Sequence, residues 1–355
     1  MNEKIKNGIA LSLIFQIILV KWIGSHREWV EIYFSHGWYS LVSKFWRILL
    51  GWIPFSVGDL IYLGLLVLAV RYIILKYKYI GKHPFLFLRN IAVVLAVAYF
   101  TFNLLWGLNY YREPLAKTMG LRDTVTREEL VKFTEKLVIK TNKAQYYITK
   151  DTAAKVEIPY SRKDIFSKTV AGYRTLGERY PFLIYNNPSI KESLFSTGLS
   201  YMGYAGYLNP FTNEAQVNGI MPKFRFPVVC GHEVGHQVGY SAENETNFIG
   251  YLVTIESPDP YFQYSAYAYA LGYCLSDIRR SDKAEFDRLY AELNGGIKKN
   301  FKEVTDFWDA HENPMEPVFK SIFDTFLKSN NQAQGIQSYR SIVSLLVTYY
   351  EEREL

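Results

Sequence analysis

The most specific chemical signal in the chain is the run His232-Glu233-Val234-Gly235-His236. Residues four apart on a helix lie on one face, one turn apart, so both imidazoles can grip a single ion. Zinc favours nitrogen ligands and tetrahedral geometry, and a catalytic zinc site needs three protein ligands with a fourth position open to water. Glu233 follows the first histidine, so its carboxylate stands beside the metal without having to bind it. From there it can take a proton from a zinc-activated water and pass it to a leaving group. The expected cofactor is therefore Zn2+, and the expected reaction a hydrolysis with Glu233 as general base.

Glu243-Asn244-Glu245-Thr246-Asn247 follows closely and offers two candidates for the third ligand, Glu243 and the alternative Glu245. Ser241 is placed to cap a helix here. On such a helix Glu243 and Asn247 share a face while Glu245 points elsewhere. A polar side chain one turn beyond a ligand can hydrogen-bond a ligand histidine, which gives Asn247 a supporting role. Gly239, three residues after His236, is placed to end the metal helix and turn the chain back.

The elements that carry these residues divide the chain in two. Three apolar segments lie in residues 1–111, at about 9–23, 60–75 and 91–108. Crossing a bilayer takes about 20 mostly apolar residues. The third segment has no charge; the first two reach that length if Lys21 and Arg71 snorkel from the helix ends. Lys4 and Lys6 precede the first segment, and Arg71, Lys76, Lys78, Lys82 and Arg89 crowd the link between the second and third. The positive-inside rule then puts the N-terminus in the cytoplasm and everything after about Leu108 outside it. The lipid bilayer is thus one expected partner. Residues 38–55, apolar and aromatic with Lys44, Arg47 and Pro54, are expected to lie in the interface.

Residues 112–355 have the pattern of a soluble, largely helical domain with a small sheet, so the fold class is mostly α (α+β). Thr126 and Glu129 form a capping box, and Leu130, Phe133 and Leu137 continue one helical face. A second helix is expected from Ser161 to before Pro181. Between 197 and 227, glycine, proline and tyrosine mark turns and short strands. From about Tyr261 the helices return, with breaks near Gly295-Gly296, Pro314 and the Ser329–Gly335 loop. The motif lies in no apolar run of about 18 residues, which puts the site outside the bilayer.

Composition excludes other classes. Aromatic residues make up 17% and charged residues only 21%, so the chain can bury a large core. The net charge of +6 is concentrated around the apolar segments, which favours a membrane surface over nucleic acid, and no nucleic-acid partner is expected. Cys230 and Cys274 make no disulfide framework, and both are expected to be buried free thiols.

Longer motifs carry a resemblance. Residues 202–207 (Met-Gly-Tyr-Ala-Gly-Tyr), 209–218 (Asn-Pro-Phe-Thr-Asn-Glu-Ala-Gln-Val-Asn), 232–239 and 243–248 resemble a bacterial family of membrane proteins, domain of unknown function 3810, over nearly the whole chain. That family brings architecture rather than a substrate. The site also resembles the zincins that use a glutamate ligand, whose second motif commonly reads Glu-x-x-Ala-Asp; here Thr246 and Asn247 stand where Ala and Asp would be. This resemblance implies a zincin-like domain, Glu243 as ligand and an edge strand before the metal helix that pairs with extended substrate. Gln216, Val217 and Asn218 are the strand candidates, with an ordinary short strand or loop as the alternative. The oxyanion stabiliser is expected from the C-terminal helices, with His311 and Tyr339 as candidates.

The expected function is thus a membrane-anchored zinc peptidase acting on a peptide or protein outside the cytoplasm. The alternatives are a catalytically silent zinc-binding sensor or assembly protein and a zinc hydrolase acting on a non-peptide bond. Retention of Glu233 favours hydrolysis over the silent reading.

Overall fold

The structure, a computed structural model, describes residues 1–332, 335 and 342–355. It is mostly helical with one three-stranded sheet. Three helices are long and apolar enough to cross a membrane: Glu3–Gly24, Val57–Lys82 and Pro84–Leu105. They begin before the apolar segments because their N-terminal caps lie further out, and the third ends at Leu105, before 108, where a 3-10 turn follows. Asn2 accepts from the Lys4 N–H at the start of the first, Ser56 accepts from Asp59 N–H at the second, and Pro84 opens the third. Their outer faces present Leu11, Ile14, Phe15 and Ile18, then Leu65, Leu66 and Leu68, then Leu88, Val94 and Leu95. Apolar surface of this extent is satisfied by lipid, not water, which makes the chain a membrane protein.

Between the first two of these helices the chain is helical from Arg27 to Leu50, a π-helical stretch Val30–Trp38 leading into the α-helix Tyr39–Leu50. Its buried face carries Tyr39, Ser43, Arg47 and Leu50, while Leu41, Phe45, Ile48 and Leu49 face outward. Polar inside and apolar outside inverts the pattern of a water-facing helix and suits a lipid interface.

In the rest of the chain the expected capping box forms, Thr126 with Glu129, and the helix expected from Ser161 begins with a second one, Ser161 with Asp164. They start the helices Arg127–Thr149 and Arg162–Arg179, and Pro181 follows the second in a 3-10 turn. Leu130, Phe133, Leu137, Ile165, Tyr173 and Leu176 enter one core with Phe248, Tyr251, Leu271 and Leu275. At the expected breaks, Pro314 lies between the helices Gly295–Asp309 and Glu316–Ser329, and the latter ends where the Ser329–Gly335 loop was expected. The helices Lys283–Ala291 and Gly295–Asp309 part just before Gly295-Gly296, as expected, and the glycine pair opens the second of them.

The sheet corrects one expectation. Strands β1 (Ile190–Glu192), β2 (Gly206–Asn209) and β3 (Glu214–Val217) run in the order β1-β3-β2, with β1 parallel and β2 antiparallel to β3. The strand holding Gln216 and Val217 is therefore central and wholly buried. Gln216 donates to Ser56 Oγ at 2.6 Å, Val217 sits in the core, and Asn218 donates to Ser200 Oγ and the Tyr204 carbonyl. A strand with both edges paired has no backbone groups left for substrate. The edge beside the helix Phe226–Gln237, which carries His232 and His236, belongs to β2.

The two halves interlock across residue 111. Tyr39 Oη donates to the Gln237 carbonyl at 2.8 Å and Trp106 Nε1 to the His236 carbonyl at 3.2 Å. Arg112 pairs with Glu31 at 2.6 and 3.0 Å and donates to the carbonyls of Val238 and Gly239. The membrane-proximal segments thus cap the end of the metal helix.

Candidate metal centre

The metal helix runs Phe226–Gln237 with Pro227 in its first turn, where a missing N–H costs nothing. It ends as expected at Gly239, whose φ of 92° is open to glycine. Gly239 N–H donates to the His236 carbonyl and Tyr240 N–H to the Gly235 carbonyl, which together form a Schellman turn. This turn also orients a histidine. It brings the Tyr240 carbonyl to 2.8 Å from His236 Nδ1, so that Nε2 is left free to face the site.

The next helix, Glu243–Ile255, crosses the metal helix at backbone contact. A Cβ on Gly250 would lie 2.6 Å from the Val228 carbonyl oxygen and 2.8 Å from His232 N, and one on Gly231 would lie 2.9 Å from Gly250 Cα. Only glycine allows that approach, and the approach sets how near Glu243 comes to the histidines. Glu243 Oε2 lies 3.3 Å from His232 Nε2 and 3.7 Å from His236 Nε2. His232, Glu233 and His236 also offer ligand atoms within 4.8 Å of one another. Two carboxylates therefore stand at the imidazole pair, one from the metal helix and one from its neighbour.

The other predicted residues fall as follows. Glu245 faces away from the histidines and accepts the Leu115 N–H at 2.7 Å. Ser241 does not cap the helix; its hydroxyl donates to the Asn109 carbonyl, and Ala242 takes the cap position. Asn247 lines the cavity on the Glu243 face, but it bonds tyrosines. Its Oδ1 accepts from Tyr269 Oη at 2.6 Å, and its Nδ2 lies 3.5 Å from Tyr273 Oη. Among the described residues no hydrogen bond joins it to a histidine ring. His311 bonds the Phe307 carbonyl at 2.7 Å and packs on Tyr201, away from the cavity. Tyr339 lies outside the described residues. Cys230 and Cys274 are free and buried, and burial pushes both thiols up.

Burial shapes the electrostatics. It pushes the Glu233 carboxyl up to about 7, the imidazoles pulling against this and Glu243 adding to it. Burial alone would lower the His236 imidazole, but the Glu243 carboxylate beside it outweighs that and lifts it to about 9. Glu243 is the converse: burial opposes its charge, yet the two imidazoles hold it well below the usual carboxylate range. Burial pushes Glu245 up to about 7, against the Leu115 N–H and Arg112.

These groups open on a cavity of about 520 Å³. Its walls include β2, the end of the third membrane helix (Phe102, Trp106), and Phe323 and Phe326 from the helix Glu316–Ser329. The backbone of β2 comes close to the acid: a Cβ on Gly206 would lie 2.4 Å from Glu233 Oε1. Arg225, Tyr204, Tyr269 and Tyr273 supply polar groups to the lining. The sequence held a signal for some of these. The spacing Gly231-x-x-x-Gly235 marks a close helix contact, and Gly206 two residues before Leu208 marks a close backbone approach. For Arg225 and Trp106 no such local signal exists.

No curated protein and no solved structure matches the chain. A family model does, and it runs through the last membrane crossings, the sheet, the metal helix and the C-terminal helices without a break at residue 111. Matching over residues 34–347, the chain belongs to the family described as Protein of unknown function (DUF3810).

Proposed function

We propose that the protein is a membrane-anchored zinc hydrolase of zincin-like design, a peptidase, with its N-terminus in the cytoplasm and its site outside. The observation that carries this is the meeting of His232, His236 and Glu243 from two helices beside Glu233 in one cavity. The residues fit a divalent cation. Among the described residues Glu233 Oε2 is buried without a hydrogen-bond partner, and Glu243 Oε2 has only the two imidazoles near it, at 3.3 and 3.7 Å. Buried carboxylate oxygens are seldom left so. The field that draws a proton onto His236 would equally draw a metal ion.

His232 Nε2, His236 Nε2 and one oxygen of Glu243 would hold the ion, a set of two nitrogens and a carboxylate that suits zinc. Zinc bound there supplies Lewis acidity and lowers the pKa of a coordinated water to about 7. The chain's own residues do the rest. Glu233, at the edge of β2, accepts a proton as water attacks and gives it to the leaving amine; a carboxyl lifted towards neutrality suits both directions. The free edge of β2 binds extended peptide backbone through its unpaired groups. The Tyr240 carbonyl keeps His236 in the tautomer whose Nε2 can ligate.

The test uses the full chain in detergent or nanodiscs, because residues before 112 complete the site. Bound metal and cleavage of a peptide library are measured for wild type, Glu233→Gln and Glu243→Gln. Wild type is expected to hold one zinc and cleave. Glu233→Gln keeps the zinc and loses about 10²–10⁴-fold in rate; Glu243→Gln loses the zinc. Bound zinc without turnover on any peptide would leave a silent metal-binding protein, and full occupancy in Glu243→Gln would remove Glu243 from the ligand set.

A further inference from the structure

The metal helix presents more than its ligands to the cavity. Arg225, Val229, His232, Glu233 and His236 all line it, and they recur at the spacing of one helical face. Arg225 precedes the first turn of this helix and has helical backbone angles. Among the described residues its guanidinium is held from one side. The Tyr269 ring lies beneath it at 4.6 Å, and the Tyr269 hydroxyl is locked to Asn247 at 2.6 Å, one turn along from Glu243. Arg225 Nε is buried without a partner, and among the described residues no carboxylate pairs with this cation. Glu243 and Arg225 act on Tyr269 with opposite sign without pairing with each other. The other cation of the cavity, Lys320, is paired with Glu316.

A planar cation kept partly from water without an anion is costly unless a ligand brings one. Arg is also the side chain whose fork matches a carboxylate at two points. We infer that Arg225 forms a subsite for a carboxylate of the substrate. This rests on the peptidase reading above and names the substrate's charge. Arg225 and His232 are seven residues apart, which is about 10 Å along the helix axis. An extended chain advances about 3.3–3.6 Å per residue, so the carboxylate sits about three residues from the scissile bond. It comes from an acidic side chain or from the substrate's own C-terminus, and Tyr269 and Asn247 are positioning residues for the arginine.

The experiment uses full-length protein loaded with zinc and four peptides built on one sequence. One carries Glu three residues from the cleaved bond, one carries Gln there, and one ends at that position with a free carboxylate, alongside its C-terminal amide. Wild type is expected to favour each carboxylate over its neutral counterpart by at least about tenfold in kcat/KM, mostly through KM. Arg225→Gln brings those ratios towards one, and Arg225→Lys retains part of them, which separates lost charge from misfolding. Preference for Glu alone or for the free terminus alone identifies the source. Equal cleavage of charged and neutral peptides by wild type overturns the subsite while leaving hydrolysis intact. An equal fall on all peptides in Arg225→Gln also overturns it, since that is the mark of an oxyanion or folding role. If no peptide is cut, equilibrium binding of the Glu and Gln peptides to Glu233→Gln decides the matter: a Glu preference lost on adding Arg225→Gln supports the subsite, and no preference overturns it.

Discussion

Two buried charge clusters in this molecule are built to opposite rules. Where the second membrane helix meets the sheet, Asp59, Lys191 and Glu214 are almost wholly shielded. Every charged atom there is answered. Asp59 accepts from Tyr207, from Ser193 Oγ at 3.0 Å and from Leu194 N at 2.7 Å. Glu214 accepts from Val57 N, Gly58 N and Thr212 Oγ1, so its carboxylate caps the start of the membrane helix. Lys191 donates to the carbonyls of Leu50 and Ile53. At the helix of His232 and His236, by contrast, one oxygen of Glu233 has no donor among the described residues, and one of Glu243 faces only the two imidazoles. Saturated burial fixes an anchor to a domain; unsaturated burial leaves binding capacity for something not belonging to the chain. The first cluster holds the architecture; on the proposed reading the second is left open for a metal ion.

Substitutions in the saturated region should cost stability and spare metal affinity. The largest effect is expected for Lys191→Ala, which strips the donor from two buried carbonyls and the counter-charge from Glu214, 3.9 Å away. Breaking a buried ionic network from one side costs about 3–5 kcal/mol. Thermal unfolding of the full-length protein should show that loss, with zinc stoichiometry of the folded fraction unchanged. Loss of zinc at unchanged stability would erase the distinction between the clusters.

Glu31→Gln tests the latch on the metal helix. Burial opposes the Glu31 charge, but hydrogen bonds from His36 and Arg112 outweigh it and hold its pKa at about 2. A carboxyl depressed in the folded state stabilises it above the unfolded pKa of 4.5, and the contribution is lost as pH falls towards 2. At neutral pH the substitution should cost about 1.5–3 kcal/mol, the range for hydrogen bonds to a charged group. The gap in melting temperature between Glu31→Gln and wild type should then shrink steadily from pH 4.5 downwards; a gap independent of pH would show that the charge is not what matters.

Gly250→Ala acts on the other cluster through geometry. Its methyl group meets the Val228 carbonyl at 2.6 Å, so the two helices must part and carry Glu243 away from the histidines. Overpacking of this kind costs about 1–3 kcal/mol. A fall of about tenfold or more in zinc affinity should accompany it, as for other disturbed ligand supports; isothermal titration with zinc reads this directly. The smallest effect is expected for Glu245→Gln, which keeps an acceptor for the Leu115 N–H and touches no histidine. It should change stability by about 1 kcal/mol or less and leave one zinc bound, and a metal-free Glu245→Gln protein would reverse the roles of the two glutamates.

Parts of this design were legible in the sequence because they depend on neighbours along the chain. The spacing of His232 and His236, the glycine that ends their helix and the opposite faces of Glu243 and Glu245 all follow from one helical repeat. The Thr126–Glu129 capping box, the helix start at Ser161 and the three apolar helices are equally local. The misreadings share a different feature. Ser241 has the right type and place for a cap, but a carbonyl 132 residues away along the chain takes its hydroxyl. Asn247 has the right face, but Tyr269 claims its oxygen. The segment 214–217 has strand character whether it lies at an edge or in the middle; pairing with β1 on one side and β2 on the other put it in the middle.

The sequence by itself determined which residues are of a type to bind a metal, that they share a helix face, and that apolar helices precede them. Each of these is set by side-chain type and a repeat of a few residues. Only the tertiary structure decided that Glu243 closes on the histidines, that β2 rather than β3 offers its edge, and that the last turn of a membrane helix forms a wall of the site. Those outcomes depend on how closely two helices can approach at Gly231 and Gly250 and on which distant carbonyls need donors. Such contacts lie between segments far apart in the chain, where no periodicity reaches.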